Sequence, residues 1–427
     1  MPLDETATAS YARGRWLPSH NGVADRSILG PRPHAESACD CAQLAAHLFD
    51  FGPERASSHL RCYTWGNVGQ LEKAGREFLI ALAGRAPLLP GAKTWRSVIS
   101  TRCRNGSAVI RRKQGAGFGH TKIQGKSLLV RGLNALAATI STPLGAPVLA
   151  AARLRGGTAN SARGAARFAA EAISTARAIG CGGLLIVRAD SSYYSAAFCG
   201  AVRRGGARFS VTVNMDPKIS AAIAAIPETA WRPIRYPRAI WDDQLRCWVS
   251  DAQVAETGYT AFTSKKGHEI SARLIVRRVR DLNKQAPAGQ DELFPAWRYH
   301  AVFTDSPVEL VQAEDQHRDH AIVEQVFADW TDGPLAHLPS GFFPANAAWL
   351  ACAAIAHNLL RAAGSLASLA YGKARGATIR RDLIDVAART ARHGRGHITL
   401  HLPEAWHREQ QWMTLFEAAC GPPAAAA

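Results

Sequence analysis

Four polar side chains in and just after the segment 316–330 are spaced at intervals that match the turns of a helix. His317, His320, Glu324 and Thr331 stand at offsets of −7, −4, 0 and +7 from Glu324. At about 100° per residue of an α-helix, all four positions lie within about 40° of the direction of Glu324. The apolar residues occupy the other side, so the spacing predicts an amphipathic helix over 316–330. Taken alone, such a stripe is more typical of a solvated face than of a reactive site.

A second carboxylate ends a buried strand predicted at 184–187. Asp190 follows at the carboxyl end, where open α/β sheets build their sites. Because Ser191 and Ser192 come next, Asp190 is equally suited to capping a helix. Phosphoryl-transfer enzymes use two or three acidic side chains from different elements to hold two Mg²⁺ ions about 4 Å apart. Asp190 and Glu324 together suit that chemistry better than either does alone.

The elements that must position these acids alternate between helix and strand on both sides of a β-rich stretch, which predicts an α/β protein. Helices are predicted over 66–84, 161–180, 219–225, 316–330, 345–362 (ended by Gly364) and 405–418, and strands over 184–187, 209–213, several parts of 230–305, and 398–402.

Positive charge is concentrated in one fifth of the chain. The 427 residues include 51 Lys and Arg against 34 Asp and Glu, a formal charge of +17. Residues 94–180 hold fourteen Lys and Arg against Glu171 alone. A contiguous basic surface of this kind favours a polyanionic partner, nucleic acid first and an anionic membrane surface second. The 47% content of hydrophobic residues excludes a wholly disordered chain.

Sequence features favour a cytoplasmic, reduced protein. No run of 18 or more apolar residues lacks charge, and the first residues show no signal-peptide pattern. The nine Cys are scattered, and Cys39-x-Cys41, the one close pair, does not suit zinc. We therefore expect free thiols, no disulfide framework and no membrane association.

Several longer motifs resemble one family of bacterial transposases. The chain resembles the DDE transposases of the insertion sequence 1380 family from about Ser58 to the C-terminus, with the most specific motifs within 113–365. The motifs are Lys113-Gln-Gly-Ala-Gly-Phe-Gly-His120, Arg188-Ala-Asp-Ser-Ser-Tyr-Tyr194, Ala207-Arg-Phe-Ser-Val-Thr-Val213, Arg235-Tyr-Pro237, Arg298-Tyr-His300, His317-Arg-Asp-His-Ala-Ile-Val-Glu324, Gly333-Pro-Leu-Ala-His-Leu-Pro-Ser340, Ala345-Asn-Ala-Ala-Trp349 and Ala356-His-Asn-Leu359.

The resemblance implies an RNase H-like catalytic domain interrupted by a β-rich insertion, with a small helical N-terminal region. The expected boundaries are 1–58 unassigned and poorly ordered, 59–92 helical, 93–205 the first part of the core, 206–305 the insertion, and 306–427 the second part of the core with the tail.

The resemblance also implies the chemistry and the partners. Asp190 matches the second acid and Glu324 the third of a set that holds two Mg²⁺ (or Mn²⁺) ions. The substrates would be double-stranded DNA at the terminal inverted repeats of an insertion sequence and at a target, with a homodimer in the synaptic complex on the nucleoid. Family positions that normally carry Tyr, Arg and Lys around the third acid are His317, His320 and Thr331 here, so the phosphate contacts there differ.

The first acid of the family is absent. Upstream of Lys113 the segment Thr94–Arg112 contains no Asp or Glu. Codons permitted for this segment read Ala-Phe-Gly-Asp-Ile-Asp-Ser in the neighbouring frame, which suggests two compensating frameshifts near residues 93–94 and 112. The alternative is a lineage that replaced this strand. Either way, loss of one carboxylate from a metal pair should severely impair catalysis.

Basic residues in the same part of the chain are candidates for DNA contacts. We expect Lys122, Lys126, Arg153 and Arg155 to contact phosphates, the last two beside a Gly156-Gly157 loop. A solvated basic face is the alternative.

Other candidates are less specific. His317 and His320 are further candidates for phosphate contacts. Arg188 would either orient Asp190 or contact DNA. Trp241 or Trp248 could stack on a flipped base, although core positions are more typical of such residues. His357 and Asn358 are expected to close a helix contact rather than to catalyse.

Two other functions stay open at this point. One is a non-catalytic DNA-binding remnant of the same fold, which basic residues alone could sustain. The other is an unrelated metal-dependent nuclease, which is disfavoured because the motifs extend far beyond the acids.

The frameshift hypothesis predicts two bases in the gene. The Asp codons of the neighbouring frame would straddle Val98/Ile99 and Ser100/Thr101. We expect the third base of the Val98 and Ser100 codons to be G, which nucleotide sequencing checks. Any other base at either position removes the overlapping Asp codon and contradicts the hypothesis.

Overall fold

The computed structural model describes twelve stretches of the chain. They are residues 8–12, 15–18, 65–92, 97–106, 113–123, 126–160, 162–236, 239–244, 246–280, 297–319, 322–392 and 398–420. The prediction of poor order over 1–58 falls outside these residues, apart from two short strands.

Sixteen strands and ten α-helices are found within the described residues. The strands are β1 Thr8–Ala12, β2 Arg15–Pro18, β3 Ser97–Gly106, β4 Gly117–Ile123, β5 Lys126–Thr142, β6 Gly145–Arg155, β7 Leu185–Ala189, β8 Arg208–Thr212, β9 Arg232–Pro233, β10 Ile240–Asp242, β11 Cys247–Val249, β12 Ala252–Ala261, β13 Ile270–Arg280, β14 Trp297–Thr304, β15 Arg389–Arg392 and β16 Ile398–His401. The helices are α1 Trp65–Ala83, α2 Ala165–Ala178, α3 Ala196–Arg204, α4 Pro217–Ala224, α5 Leu310–Arg318, α6 Ile322–Thr331, α7 Phe343–Ala367, α8 Leu369–Lys373, α9 Gly376–Ile379 and α10 Glu409–Cys420.

One ten-stranded mixed sheet organises this α/β fold. Its order is β4-β5-β3-β7-β8-β14-β13-β12-β9, and β6 pairs with β5. The three strands β3, β7 and β8 are parallel to one another, whereas β5, β6 and β14 join antiparallel. The strands predicted over 230–305 therefore include β12, β13 and β14, which continue the central sheet through the pairing of β14 with β8. The predicted domain boundaries themselves stay a prediction.

Side chains of β5 alternate between the two faces of the sheet. Leu136, Ala138 and Ile140 join a core cluster with α2 and α3, whereas Leu133 and Ala135 join a second cluster under α6 and α7. Successive side chains of a strand point to opposite faces, so a strand buried on both faces is apolar at nearly every position. The sheet is therefore the middle layer between two layers of helices.

Two predicted helices end elsewhere. The single helix predicted over 316–330 is two helices, because α5 ends at Arg318 and α6 begins at Ile322. The prediction that Gly364 ends a helix is also wrong, since α7 continues to Ala367. A Cβ at Gly364 would lie 2.6 Å from the carbonyl oxygen of Tyr371, so glycine is required there by the close approach of the following segment.

The longest helix, α7, is a buried element. It is the one helix among the described residues that is long and apolar enough to cross a membrane by length and composition. Most of its apolar window is nevertheless buried inside the protein, against β6 and α1. A core helix that lies under a sheet has this composition.

His357 and Asn358 fasten α7 to β6, as expected for a helix contact. The Nε2 atom of His357 lies 3.0 Å from the carbonyl oxygen of Pro147. The Asn358 side chain accepts from the backbone nitrogen of Leu149 at 2.8 Å and donates to its carbonyl oxygen at 3.0 Å. Burial lowers the pKa of His357 from its ordinary value to about 4. The imidazole is therefore neutral in the folded protein and donates its Nε2 proton to Pro147.

Protonation of His357 should cost stability in acid. Between about pH 6.5 and 4 the unfolded chain binds a proton that the folded protein excludes, so the free energy of unfolding falls as the pH falls. Between pH 7 and pH 4 this linkage should lower the free energy of unfolding of the native protein by roughly 3 kcal/mol. A His357→Gln variant, which keeps an N–H donor, should not show this decrease. Urea unfolding of both proteins at several pH values measures it. Parallel curves for the two proteins would contradict the assignment.

Candidate functional site

The sheet sends Arg188 and Asp190 to the face opposite α2 and α3. Leu185, Val187 and Ala189 of β7 belong to the cluster under those two helices. Strand alternation therefore directs Arg188, and Asp190 just beyond the strand, toward the layer that contains α5, α6 and α7.

The register of the parallel strands defines one transverse row on this face. Ser100 of β3 pairs with Arg188 of β7, which pairs with Ser210 of β8. Residues that pair across neighbouring strands share a face. The β3 position that lies next to the Arg188 and Asp190 segment is therefore Ser100, and the strand sequence SVISTRCRNG contains no acid.

Asp190 caps the turn that follows β7. The residue is half-buried, and its Oδ1 accepts a hydrogen bond of 2.9 Å from the backbone nitrogen of Ser192. This bond begins a single 3₁₀ turn over Ser191–Tyr193. The capping role considered from the sequence is thus present, and it holds the carboxylate at the carboxyl end of the strand.

Glu324 lies on the exposed side of α6. Val323, Val326 and Phe327 of this helix are buried in the cluster that also covers β5 and β6. Glu324 is exposed in the first turn, on the same side of the sheet as Asp190. The fold therefore brings both predicted acids to one face of the sheet, on two separate elements.

His317 is held between two hydroxyl groups of β8. Its Nδ1 lies 2.8 Å from Ser210 Oγ, and its Nε2 lies 2.9 Å from Thr212 Oγ1. The half-buried ring is thus fixed against the sheet by both nitrogens. Thr331 bonds to carbonyl oxygens of its own helix, and His320 lies outside the described residues.

Arg188 connects the central strand to the end of α5. The side chain is buried, and its guanidinium donates to the carbonyl oxygen of Gln316. Burial lowers the pKa of Arg188 to about 10, and the charge of Asp319 opposes that shift. Gln316 lies in the last turn of α5, where carbonyl oxygens lack partners within the helix, and Arg188 supplies a donor to one of them.

A buried carboxylate that the sequence did not indicate links β13 to α5. Glu314 of α5 accepts from Arg277 of β13 at 2.7 Å and from Arg318 at 2.8 Å. Burial raises the pKa of Glu314, and the two arginines oppose the rise. The one local signal was the i, i+4 spacing of Glu314 and Arg318. Arg277 could be found only from the fold.

The residues present do not fit a pair of Mg²⁺ ions. Within the described parts of the chain, no three His, Cys, Asp or Glu side chains are grouped closely enough to hold a metal ion. Strand β3 supplies no carboxylate to the row beside Arg188. A divalent cation needs several oxygen ligands, and the described residues do not supply a sufficient set.

Arg153 is held between two helices. Its guanidinium lies 2.8 Å from Glu171 of α2 and 3.3 Å from Glu72 of α1. It also lies 5.5 Å from the ring centroid of Phe168. Burial raises the pKa of Glu72, and Arg153 opposes the rise. This arginine therefore joins β6 to both helices.

Arg155 is buried and bonded within the protein. Its Nε and one terminal nitrogen donate to the Asn134 side chain, and the other donates to the carbonyl oxygens of Asn160 and Arg163. The Gly156-Gly157 loop beside it approaches the protein's own backbone, since a Cβ at Gly157 would lie 2.0 Å from the carbonyl oxygen of Gly132. Phosphate contacts from Arg153 and Arg155 stay a prediction.

Lys122 and Lys126 occupy the end of a hairpin. The backbone pairs Lys122 with Ser127 and Ile123 with Lys126. Nothing in the described structure tests their contact with DNA, which also stays a prediction.

Replacing Arg155 should destabilise the fold. An Arg155→Leu change removes the hydrogen bonds to the buried Asn134 side chain and to the carbonyl oxygens of Asn160 and Arg163, which should cost about 1–3 kcal/mol in all. Chemical denaturation measures the loss. Arg167→Leu is the matched control, since that side chain is 83% exposed and, within the described part of the chain, forms its ion pair with Glu171. Equal stability of the two variants would show that the internal bonds of Arg155 contribute nothing.

Comparison with known families gives one match that covers most of the chain. Residues 145–419 match the family described as transposase DDE domain, group 1. The matched part includes β6 to α10, with both Asp190 and Glu324.

Shorter similarities are also found. The chain is 36% identical over 100 residues to gamma-glutamyl-hercynylcysteine sulfoxide hydrolase of Mycobacterium tuberculosis, covering 23% of this chain and 40% of that protein. It is 34% identical over 110 residues to the same enzyme of Mycolicibacterium smegmatis, covering 26% and 45%. The chain thus spans less than half the length of these curated relatives.

Solved structures show a distant similarity, and one of them is a transposase complex. It is the cryo-EM structure of the piggyBac transposase synaptic complex with hairpin DNA, with a TM-score of 0.34 and 12% identity. The alignment covers 66% of this chain and 51% of the other.

Proposed function

The chain belongs to the transposase DDE domain group 1 family, and from that membership we propose that it binds DNA at insertion-sequence ends with severely impaired strand cleavage. Members of DDE families use divalent metal ions for phosphodiester cleavage and strand transfer. The observation that carries the proposed impairment is the row Ser100, Arg188 and Ser210, to which β3 contributes no carboxylate.

The sheet supports an RNase H-like arrangement for the catalytic part. Three parallel strands, β3, β7 and β8, are flanked by the antiparallel pair β5 and β6, and helices cover both faces. Asp190 ends the middle parallel strand, and Glu324 stands on a helix that packs against this sheet. These are the places where the resemblance to the insertion sequence 1380 family puts the second and third acids.

DNA is the partner that the charge distribution favours. The segment 113–170 contains eight Lys and Arg and no acid. Terminal inverted repeats and target DNA are the proposed substrates, with a homodimer in the synaptic complex and action on cytoplasmic, nucleoid-associated DNA. The alternative is a DNA-binding remnant with no cleavage at all, which needs the basic residues but not the acids.

Cleavage by the native chain should be close to background. We expect the purified protein to bind duplex DNA whose sequence is that of the regions flanking its gene. In Mg²⁺ or Mn²⁺ it should nick this DNA no faster than an Asp190→Ala variant does. Denaturing gels of end-labelled duplex measure the nicking. If the native protein nicks and Asp190→Ala abolishes the reaction, the proposed impairment is wrong.

A carboxylate placed at residue 100 should restore metal binding. Since Ser100 pairs with Arg188 in the sheet, Ser100→Asp adds an acid to the row beside Asp190. We expect calorimetric binding of Mn²⁺ to appear and nicking to rise at least about tenfold.

Ser100→Asn is the matched control, because it has the size of aspartate without the charge. Equal Mn²⁺ binding by the Asp and Asn variants would show that this row is not the place of the missing ligand.

A further inference from the structure

The first half of β5 and the whole of β4 form a two-stranded arm. Residues 126–132 of β5 pair with Gly117–Ile123, whereas β5 joins β3 and β6 only from Leu133 and Asn134 onward. We call residues 117–123 and 126–132 the ribbon arm. Seven residues per strand at about 3.4 Å each give it a length of roughly 24 Å.

The base of the ribbon arm is fixed to the start of α7. The Lys113 ammonium is buried and donates to the carbonyl oxygen of Leu338. Gln114 donates its backbone N–H to Gly341 at 2.8 Å, and its side chain accepts from the backbone nitrogen of Phe343 at 3.1 Å. The arm therefore projects from a braced base, and the first residues of the motif that begins at Lys113 serve that bracing.

The second brace is a close approach of backbones. A Cβ at Gly157 would lie 2.3 Å from the carbonyl oxygen of Gly117 and 2.0 Å from that of Gly132. These two residues are the last pair at the inner end of the arm. Because only glycine permits this contact, the loop after β6 holds both strands where they leave the sheet.

One face of the ribbon arm combines apolar and basic residues. Phe118 pairs with Arg131, and Leu129 lies two residues from Arg131 on the same strand, so alternation puts these three on one face. Phe118 is 60% exposed and Leu129 is 58% exposed. Lys122 and Lys126 occupy positions in the outermost two pairs of the arm. The ribbon arm thus combines exposed apolar residues with positive charge, and it contains no acid.

We propose that the ribbon arm inserts into the major groove of duplex DNA, with Phe118 and Leu129 against base edges and Lys122, Lys126 and Arg131 against phosphates. The major groove, about 12 Å wide, admits a two-stranded β-ribbon, and apolar side chains contact the thymine methyl group there. Basic residues contact phosphates on either side. The inference rests on the proposed DNA-binding function and names the element that enters the DNA.

A second copy of the chain is a less suitable occupant. A two-fold symmetric contact would place the same positive arm against itself, and the ribbon arm has no acid to neutralise it. Duplex DNA supplies the complementary charge along the whole arm.

Two variants with different expected effects test the proposal on the full-length protein. We measure affinity for a fluorescent 24-bp duplex by anisotropy over a range of salt concentrations. Phe118→Ala with Leu129→Ala should weaken binding on the order of tenfold and leave the salt slope unchanged. Lys122→Gln with Lys126→Gln should reduce the salt slope by about 1.8, because two phosphates are no longer neutralised.

Leu369→Ala is the matched control, because Leu369 is an exposed apolar residue (81%) on α8 rather than on the arm. Circular dichroism verifies that every variant is folded. Glucosylated 5-hydroxymethylcytosine, which fills the major groove, should weaken native binding. The minor-groove ligand netropsin should not.

The outcomes separate the two proposals. If the native protein does not bind duplex DNA, the proposed function fails and this inference fails with it. If the native protein binds and both arm variants bind equally well with the same slope, only the ribbon-arm inference is overturned. If netropsin weakens binding and glucosylated 5-hydroxymethylcytosine does not, the assignment to the major groove is overturned. If the arm variants differ from the native protein in the mass measured by sedimentation but not in DNA affinity, the arm is a contact between copies of the chain. That result overturns the inference.

Discussion

Backbone pairing of β3 between β5 and β7 is the interaction on which the rest of this structure depends. Nine residues of β3 pair with β5, and five pair with β7. These ladders use only N–H and C=O groups, which every residue here supplies whatever its side chain. The strand can therefore lack every acid and still complete the sheet. Strand pairing uses the backbone whereas metal ligands are side chains, so this segment can complete the sheet without supplying a ligand.

Much of the positive charge near the centre of the chain serves the interior of the protein. Lys113, Arg155 and Arg188 are buried, and Arg153 is shared between two glutamates. A guanidinium has five N–H donors, so a buried arginine is tolerated where carbonyl and amide oxygens surround it. The net charge indicates a DNA-binding protein, but the number of basic residues overstates the basic surface. The proposed DNA contacts therefore rest on fewer elements, among them the ribbon arm.

The position of α5 and α6 is set by contacts from distant parts of the chain. Arg277 reaches Glu314 from β13, Arg188 reaches Gln316 from β7, and the β8 hydroxyls hold His317. These three links fasten the end of α5, and α6 with Glu324 begins four residues later. The orientation of Glu324 thus depends on β13 as well as on β7 and β8. Loss of Glu314 would leave the half-buried charge of Arg277 without this carboxylate, which is why such links are costly to break.

Short-range patterns in the sequence determined most elements. The helix predicted over 66–84 is Trp65–Ala83, and the strand predicted at 184–187 is Leu185–Ala189. Periodicity fixes these because it is a property of neighbouring residues. Only the tertiary structure decided that β14 joins β8, that Gly364 lies inside a helix, and that Arg155 bonds to Asn134. Each of those features depends on which distant segment packs alongside. That packing is determined by burial of both sheet faces and by hydrogen bonding of buried polar groups. Neither can be read from a local sequence pattern.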